Sequence, residues 1–218
     1  GPSRLRLADR VAGRTLLAAL DLPEQGWPRA GVLALVSGAP VRRGDGLAPS
    51  GAWDNVSRAA GVVGGLDNWA AALATFADDQ RERATVEGHD PQGPAWRLDR
   101  YRADADQAEQ LAAFVAELAA LVTAVDEADG WAARVAASTA LLLHLLGPEA
   151  RRLRWPDDER AAGERVEAAL ARLELLDEID PVPTTSRFRR AVEAELDEPA
   201  GRVGRFGEGV LFAPLATA

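Results

Sequence analysis

Cysteine, methionine and lysine are all missing from the 218 residues. Without cysteine there are no disulfides, no thiolate catalysis, no iron–sulfur ligation and no cysteine zinc sites. Without lysine a phosphate-binding P-loop lacks its Gly-Lys-Ser/Thr end. A PD-(D/E)xK nuclease core lacks the lysine that helps activate water, and Schiff-base catalysis is excluded. All 25 basic residues are therefore arginine, and with abundant Ala, Gly and Asp this composition is the kind that accompanies a GC-rich genome. The missing methionine includes position 1. Residues 1–3, Gly-Pro-Ser, read as the scar of a cleaved tag, so the chain is expected to be an excised piece of a longer protein. Long apolar runs are also missing. The apolar stretch around Ala140–Leu146 is well short of the roughly 20 residues of a membrane span. No transmembrane segment or signal peptide is expected, and the location expected is cytoplasmic.

Hydrophobic residues make up 47%, enough to bury a core in one large domain or two small ones. The formal charge of −9 disfavours the whole surface as a nucleic-acid platform but leaves room for a local basic patch. The pattern is helical almost throughout. A first helix is predicted from about Leu7 to Leu20, with Val11, Leu16, Leu17 and Leu20 available for the core. Trp27-Pro28 starts a second, carrying Val32, Leu33, Leu35 and Val36. "RRGDGLAPSG" reads as loop, followed by a short helix near Trp53–Ala60, a Gly61–Gly65 break, and a longer helix from Asp67 to about Val86. The best-defined helix runs between about Asp106 and Ala128. There Leu111, Phe114, Val115, Leu118, Leu121, Val122 and Val125 share one face of a 3.6-residue repeat. Gly130 separates it from Trp131–Leu146, and so short a link favours an antiparallel pair. Trp155-Pro156 opens a helix to about Asp177, and Thr184 or Thr185 caps a last one carrying Phe188, Val192 and Leu196. The fold class predicted is mainly α, a multi-helix domain over residues 4–200. A short C-terminal β segment, 201–218, follows from the glycine-rich "GRVGRFGEG" and the apolar run after it.

Chemistry-bearing residues are few. The only histidines are His89, in a Gly/Pro loop, and His144, one turn before a helix end where an imidazolium suits the dipole. A catalytic triad or two-histidine metal site is not expected. Asp78-Asp79 and Asp157-Asp158-Glu159 are expected to be a solvated helix face and a helix start, not magnesium sites. Six tryptophans, at helix starts and on apolar stripes, are expected to anchor the core rather than stack on bases. Arginine clusters stand out: Arg151, Arg152 and Arg154, then Arg187, Arg189 and Arg190, continuing to Arg202 and Arg205. Such side chains can grip phosphate oxygens in bidentate fashion, or pair with neighbouring glutamates as in "RAVEAELDE". "GRVGRFGEG" lacks the flanking strand and helix of a dinucleotide loop.

The stretch "AGRTLLAALDLPEQGWPRAGVLALVSGAPVR" resembles a segment of AddB/RecC-type helicase–nuclease proteins, relatives of UvrD-like helicases. The closing "GEGVLFAPLATA" resembles the strand by which such a chain leaves its helical 2B accessory domain and re-enters the second motor sheet. The resemblance covers the chain in order and at both ends through apolar and arginine positions. It implies a noncatalytic 2B-like domain that orients duplex DNA or a partner helicase–nuclease subunit in double-strand-break processing and recombination. Arg187, Arg189, Arg190, Arg202 and Arg205 are the implied DNA contacts. No cofactor is implied for this piece; ATP and Mg²⁺ would bind elsewhere in the parent. Active UvrD-like helicases follow the re-entering strand with Thr-x-His, and the matching positions here are Pro214 and Ala216. Their loss implies a degenerate motor serving as a DNA scaffold. The alternative is a helical protein-interaction domain of an unrelated multidomain protein.

Overall fold

The computed structural model describes residues 5–89 and 93–200. Among them are nine α-helices and one small hairpin, so the fold is mainly α. A 3₁₀ turn, Leu7–Asp9, leads into α1 (Val11–Asp21) and α2 (Arg29–Gly38). The antiparallel strands β1 (Arg42–Arg43) and β2 (Gly46–Leu47) follow, then α3 (Ser50–Ala59), α4 (Leu66–Gly88), α5 (Ala95–Glu127) and α6 (Gly130–Leu146). The chain continues through α7 (Glu149–Arg152), α8 (Asp157–Leu173), a 3₁₀ turn at Glu174–Glu178, and α9 (Thr185–Leu196).

Helix α5 is the spine, about 50 Å long at about 1.5 Å per residue. Helix α4 runs antiparallel along its first half, where Arg81 meets Glu109 and Arg97 meets Glu87. Helix α6 folds back along its second half. Helix α3 crosses it through Trp53, whose ring lies 5.0 Å from that of Phe114 in a tilted pair. On the other side α1 packs against α2, α6 and α8, and α9 closes over α8 with Phe188 against Trp131. All these faces meet in one continuous apolar core from Leu7 to Ala200. By length and composition α5 is long and apolar enough to cross a bilayer, although charged residues interrupt its apolar stretches. Its Leu111, Phe114, Leu118, Val122 and Val125 are buried inside this core.

The structure lengthens and adds elements. Helix α5 starts at Ala95 rather than near Asp106, the predicted first helix is a 3₁₀ turn followed by α1, and α7 was not predicted. "RRGDGLAPSG" is a hairpin turning at Gly44, φ +56°, followed directly by α3. Gly13 is required by close approach: a Cβ there would stand 2.2 Å from the Leu7 carbonyl oxygen, so only glycine lets α1 fold down on the 3₁₀ turn. The outgoing chain returns to the ingoing one. Leu7 N donates to Glu198 O (3.0 Å), Ala200 N donates to Leu5 O (2.8 Å), and Arg6 and Pro199 form an antiparallel bridge. The tag-scar residues and the expected strand at 201–218 lie outside the described residues.

Candidate nucleic-acid interface

Helix α9 carries the arginines singled out from the sequence. Thr184 Oγ1 accepts from Arg187 N (3.3 Å) and starts the helix. Its inward face holds Phe188, Val192 and Leu196, and the 3.6-residue period turns Arg189 to the same side. Arg189 is only 7% exposed. Its Nη1 lies 2.9 Å from Glu24 and its Nη2 3.3 Å from Asp126, tying α9 to the α1–α2 loop and the end of α5. The nearby Asp21 carboxyl is pushed above the ordinary carboxylate value, mainly by burial; Arg189 opposes the shift and Glu24 adds to it. Arg187 and Arg190 are three residues apart on the outward face. Arg187 pairs with Asp180 at 2.7 Å, and Arg190 donates to the Ser186 carbonyl oxygen. Among the described residues Arg190 meets no carboxylate. Arg202 and Arg205 lie outside the described residues. Of the five arginines, then, two face solvent together and one is locked inside.

A second cluster forms where sequence reasoning saw two separate segments. Arg42 and Arg43 from the hairpin, Arg151 from α7 and His144 from the last turn of α6 line one cleft of about 310 Å³. Arg43 donates to Glu117 at 2.6 Å, and His144 Nε2 lies 3.7 Å from the same carboxylate. Arg151 pairs with Asp45 at 3.0 Å, while Arg42 donates to the Asp45 backbone oxygen. Three guanidinium groups in one concavity suit phosphate oxygens, in competition with the Glu117 and Asp45 carboxylates. Arg152 turns inward to Glu167 (2.8 Å), and Arg154 is exposed. Arg42 and Arg43 were missed because their segment read as loop. The usable signal was Gly44-Asp45 between short flanks, a turn that brings those flanks together.

The acidic cluster at the start of α8 is tied to the start of α1. Asp158 accepts from Arg10 at 2.6 Å, and Glu159 accepts both from Arg10 (3.1 Å) and from the α1 amide of Val11 (2.9 Å). The Arg10 hydrogen bond holds the Asp158 carboxyl below its usual range, and the two carboxylates raise Arg10 in turn. Among the described residues no three His, Asp or Glu side chains gather in a way that would hold a metal ion. His89 is exposed at the end of α4, its Nδ1 2.6 Å from the Thr85 carbonyl oxygen. Trp27, Trp53, Trp69 and Trp131 are buried and Trp155 is half-buried, as anchors should be. Trp96 departs from that expectation, with 62% of its surface exposed.

Comparison of the chain with protein-family models, curated proteins and solved structures finds no match.

Proposed function

We propose that this chain is a noncatalytic helical accessory domain of a bacterial ATP-dependent helicase–nuclease of the AddB/RecC type. It orients duplex DNA or a partner subunit during double-strand-break processing in the cytoplasm. ATP and Mg²⁺ bind elsewhere in the parent. The observation that carries this reading is the pairing of Leu5–Leu7 with Glu198–Ala200. A body whose two ends leave side by side can be inserted at one point of a host without disturbing the host's fold. The resemblance in sequence supplies the kind of host, and the outward arginines on α9 and around the hairpin cleft supply surfaces for phosphate.

The test is binding of a tailed duplex, followed by fluorescence anisotropy across a salt series. Affinity should fall steeply with salt, and the double variant Arg187→Glu/Arg190→Glu should weaken it roughly tenfold. A chain that hydrolyses ATP unaided overturns the reading, as does salt-independent or absent DNA binding together with failure to bind the remaining subunits.

One observation favours the protein-interaction reading. Leu175, Ile179 and Val182, between α8 and α9, are large apolar side chains exposed within a short segment. If Ile179→Asp abolishes association with a partner protein while the tailed duplex is never bound, that second reading takes over.

A further inference from the structure

We propose that the cleft between α4 and the first turns of α5 is a binding site for single-stranded DNA, with Trp96 as the platform on which an unpaired base stacks. The cleft has a volume of about 390 Å³, within the range of sites that take small organic ligands. Helix periodicity builds it. On α4, Phe76, Gln80 and Arg83 recur at four and three residues. On α5, Trp96, Arg100 and Asp104 recur every four, with Arg97 and Tyr101 beside them. The two helices are antiparallel, so these two rows face each other across one groove.

Three features select the occupant. Trp96 is largely exposed although it opens the longest helix, and the Arg97 guanidinium lies 5.6 Å from its ring centroid. An indole kept in solvent and flanked by arginine is the arrangement that stacks nucleobases and grips the adjoining backbone. Arg83 has no carboxylate partner among the described residues. Arg97 and Arg100 hold Glu87 and Asp104 only in partly exposed pairs, at 3.2 and 3.6 Å, which a phosphate can displace. Gln80 lines the same cleft wall, and its side-chain amide carries two donors and an acceptor. The edge of a base supplies the complementary groups. Within a duplex the bases are already stacked on one another, so only its terminal pairs offer a free face to Trp96.

This inference does not rest on the helicase–nuclease reading; it follows from the cleft alone. A short fluorescein-labelled oligothymidylate is titrated with the chain, following anisotropy and tryptophan quenching, alongside a blunt duplex and polyglutamate. The oligothymidylate should bind in preference to both, with log affinity falling against log salt at a slope of about −2 for three phosphate contacts. Trp96→Ala should weaken binding about tenfold, the loss of one stacked base, and Arg83→Glu about fivefold or more. Both side chains are exposed, so far-UV circular dichroism should be unchanged. Arg187→Glu/Arg190→Glu should leave this affinity within twofold. The proposal is overturned by absence of binding at low salt, by equal binding of the duplex, by equal competition from polyglutamate, or by indifference to both Trp96→Ala and Arg83→Glu.

Discussion

The Arg189 guanidinium lies between Glu24 and Asp126 with almost no surface of its own in water. Removing it leaves those carboxylates unpaired and takes away the positive charge that tempers Asp21. Arg189→Ala should therefore cost about 2 kcal/mol, below the usual cost of breaking a fully buried pair because Glu24 is mostly exposed. The urea midpoint should fall with an unchanged slope. Arg190→Ala, on the outward face, should stay within about 0.5 kcal/mol. Asp21 makes an independent prediction. Its folded pKa is raised, so the folded chain keeps that proton to higher pH than the unfolded chain does. Stability then falls as pH rises from the ordinary value of 3.8 through the folded value, and the cost persists above it. Asp21→Asn should be more stable than the parent at neutral pH, and the gap should close below 3.8. Asp158 works in the opposite sense. Its lowered pKa means that stability is present above the unfolded value and is lost as pH falls through the folded one. Urea midpoints measured from pH 7 downward separate the two, since only the Asp21 effect disappears in the Asn variant.

At the scale of elements, α6 is capped from outside its own segment. The Asp177 carboxylate, from the 3₁₀ turn after α8, accepts from Trp131 N (2.6 Å) and Ala132 N (3.0 Å), while Trp131 Nε1 donates to Asp180 O (2.7 Å). Asp177→Ala should cost about 1 to 2 kcal/mol, and Asp177→Asn less, read from thermal or urea midpoints. Gly130→Ala should cost at least as much. Its φ is +82°, and a Cβ would stand 3.1 Å from Asp177 Oδ1, pushing the cap away. None of this was legible in the sequence, where Asp177 lies 46 residues from its partner. Local patterning was legible. The stripes of α2, the second half of α5, and α9 are where periodicity put them, because each packs an apolar face on the core. The first turns of α5 were not, since they face α4 across Gln80 and a row of arginines and show no apolar stripe. Strands of two residues leave no alternation to read, so the hairpin and its Arg42 and Arg43 were hidden. Arg189 was readable in principle. It lies three residues before Val192 and seven before Leu196, on the buried side of α9.

At the scale of the whole molecule, the ends decide what the domain can be joined to. Two backbone hydrogen bonds hold Leu5–Leu7 against Glu198–Ala200, so the first and last described segments lie side by side. A circular permutant tests whether that is sufficient. Residues 5–200 are closed through a short glycine linker and reopened between His89 and Gly93, where α4 and α5 remain held by their own packing. One loop closure replaces another of similar length, and closure entropy varies only slowly with length. The permutant should therefore keep its helical circular dichroism and lose less than about 2 kcal/mol. That result would make the helical body indifferent to where its chain is cut, the property an inserted domain needs. A permutant that unfolds would mean that the body depends on its present chain order, and the single-point insertion proposed above would lose its support.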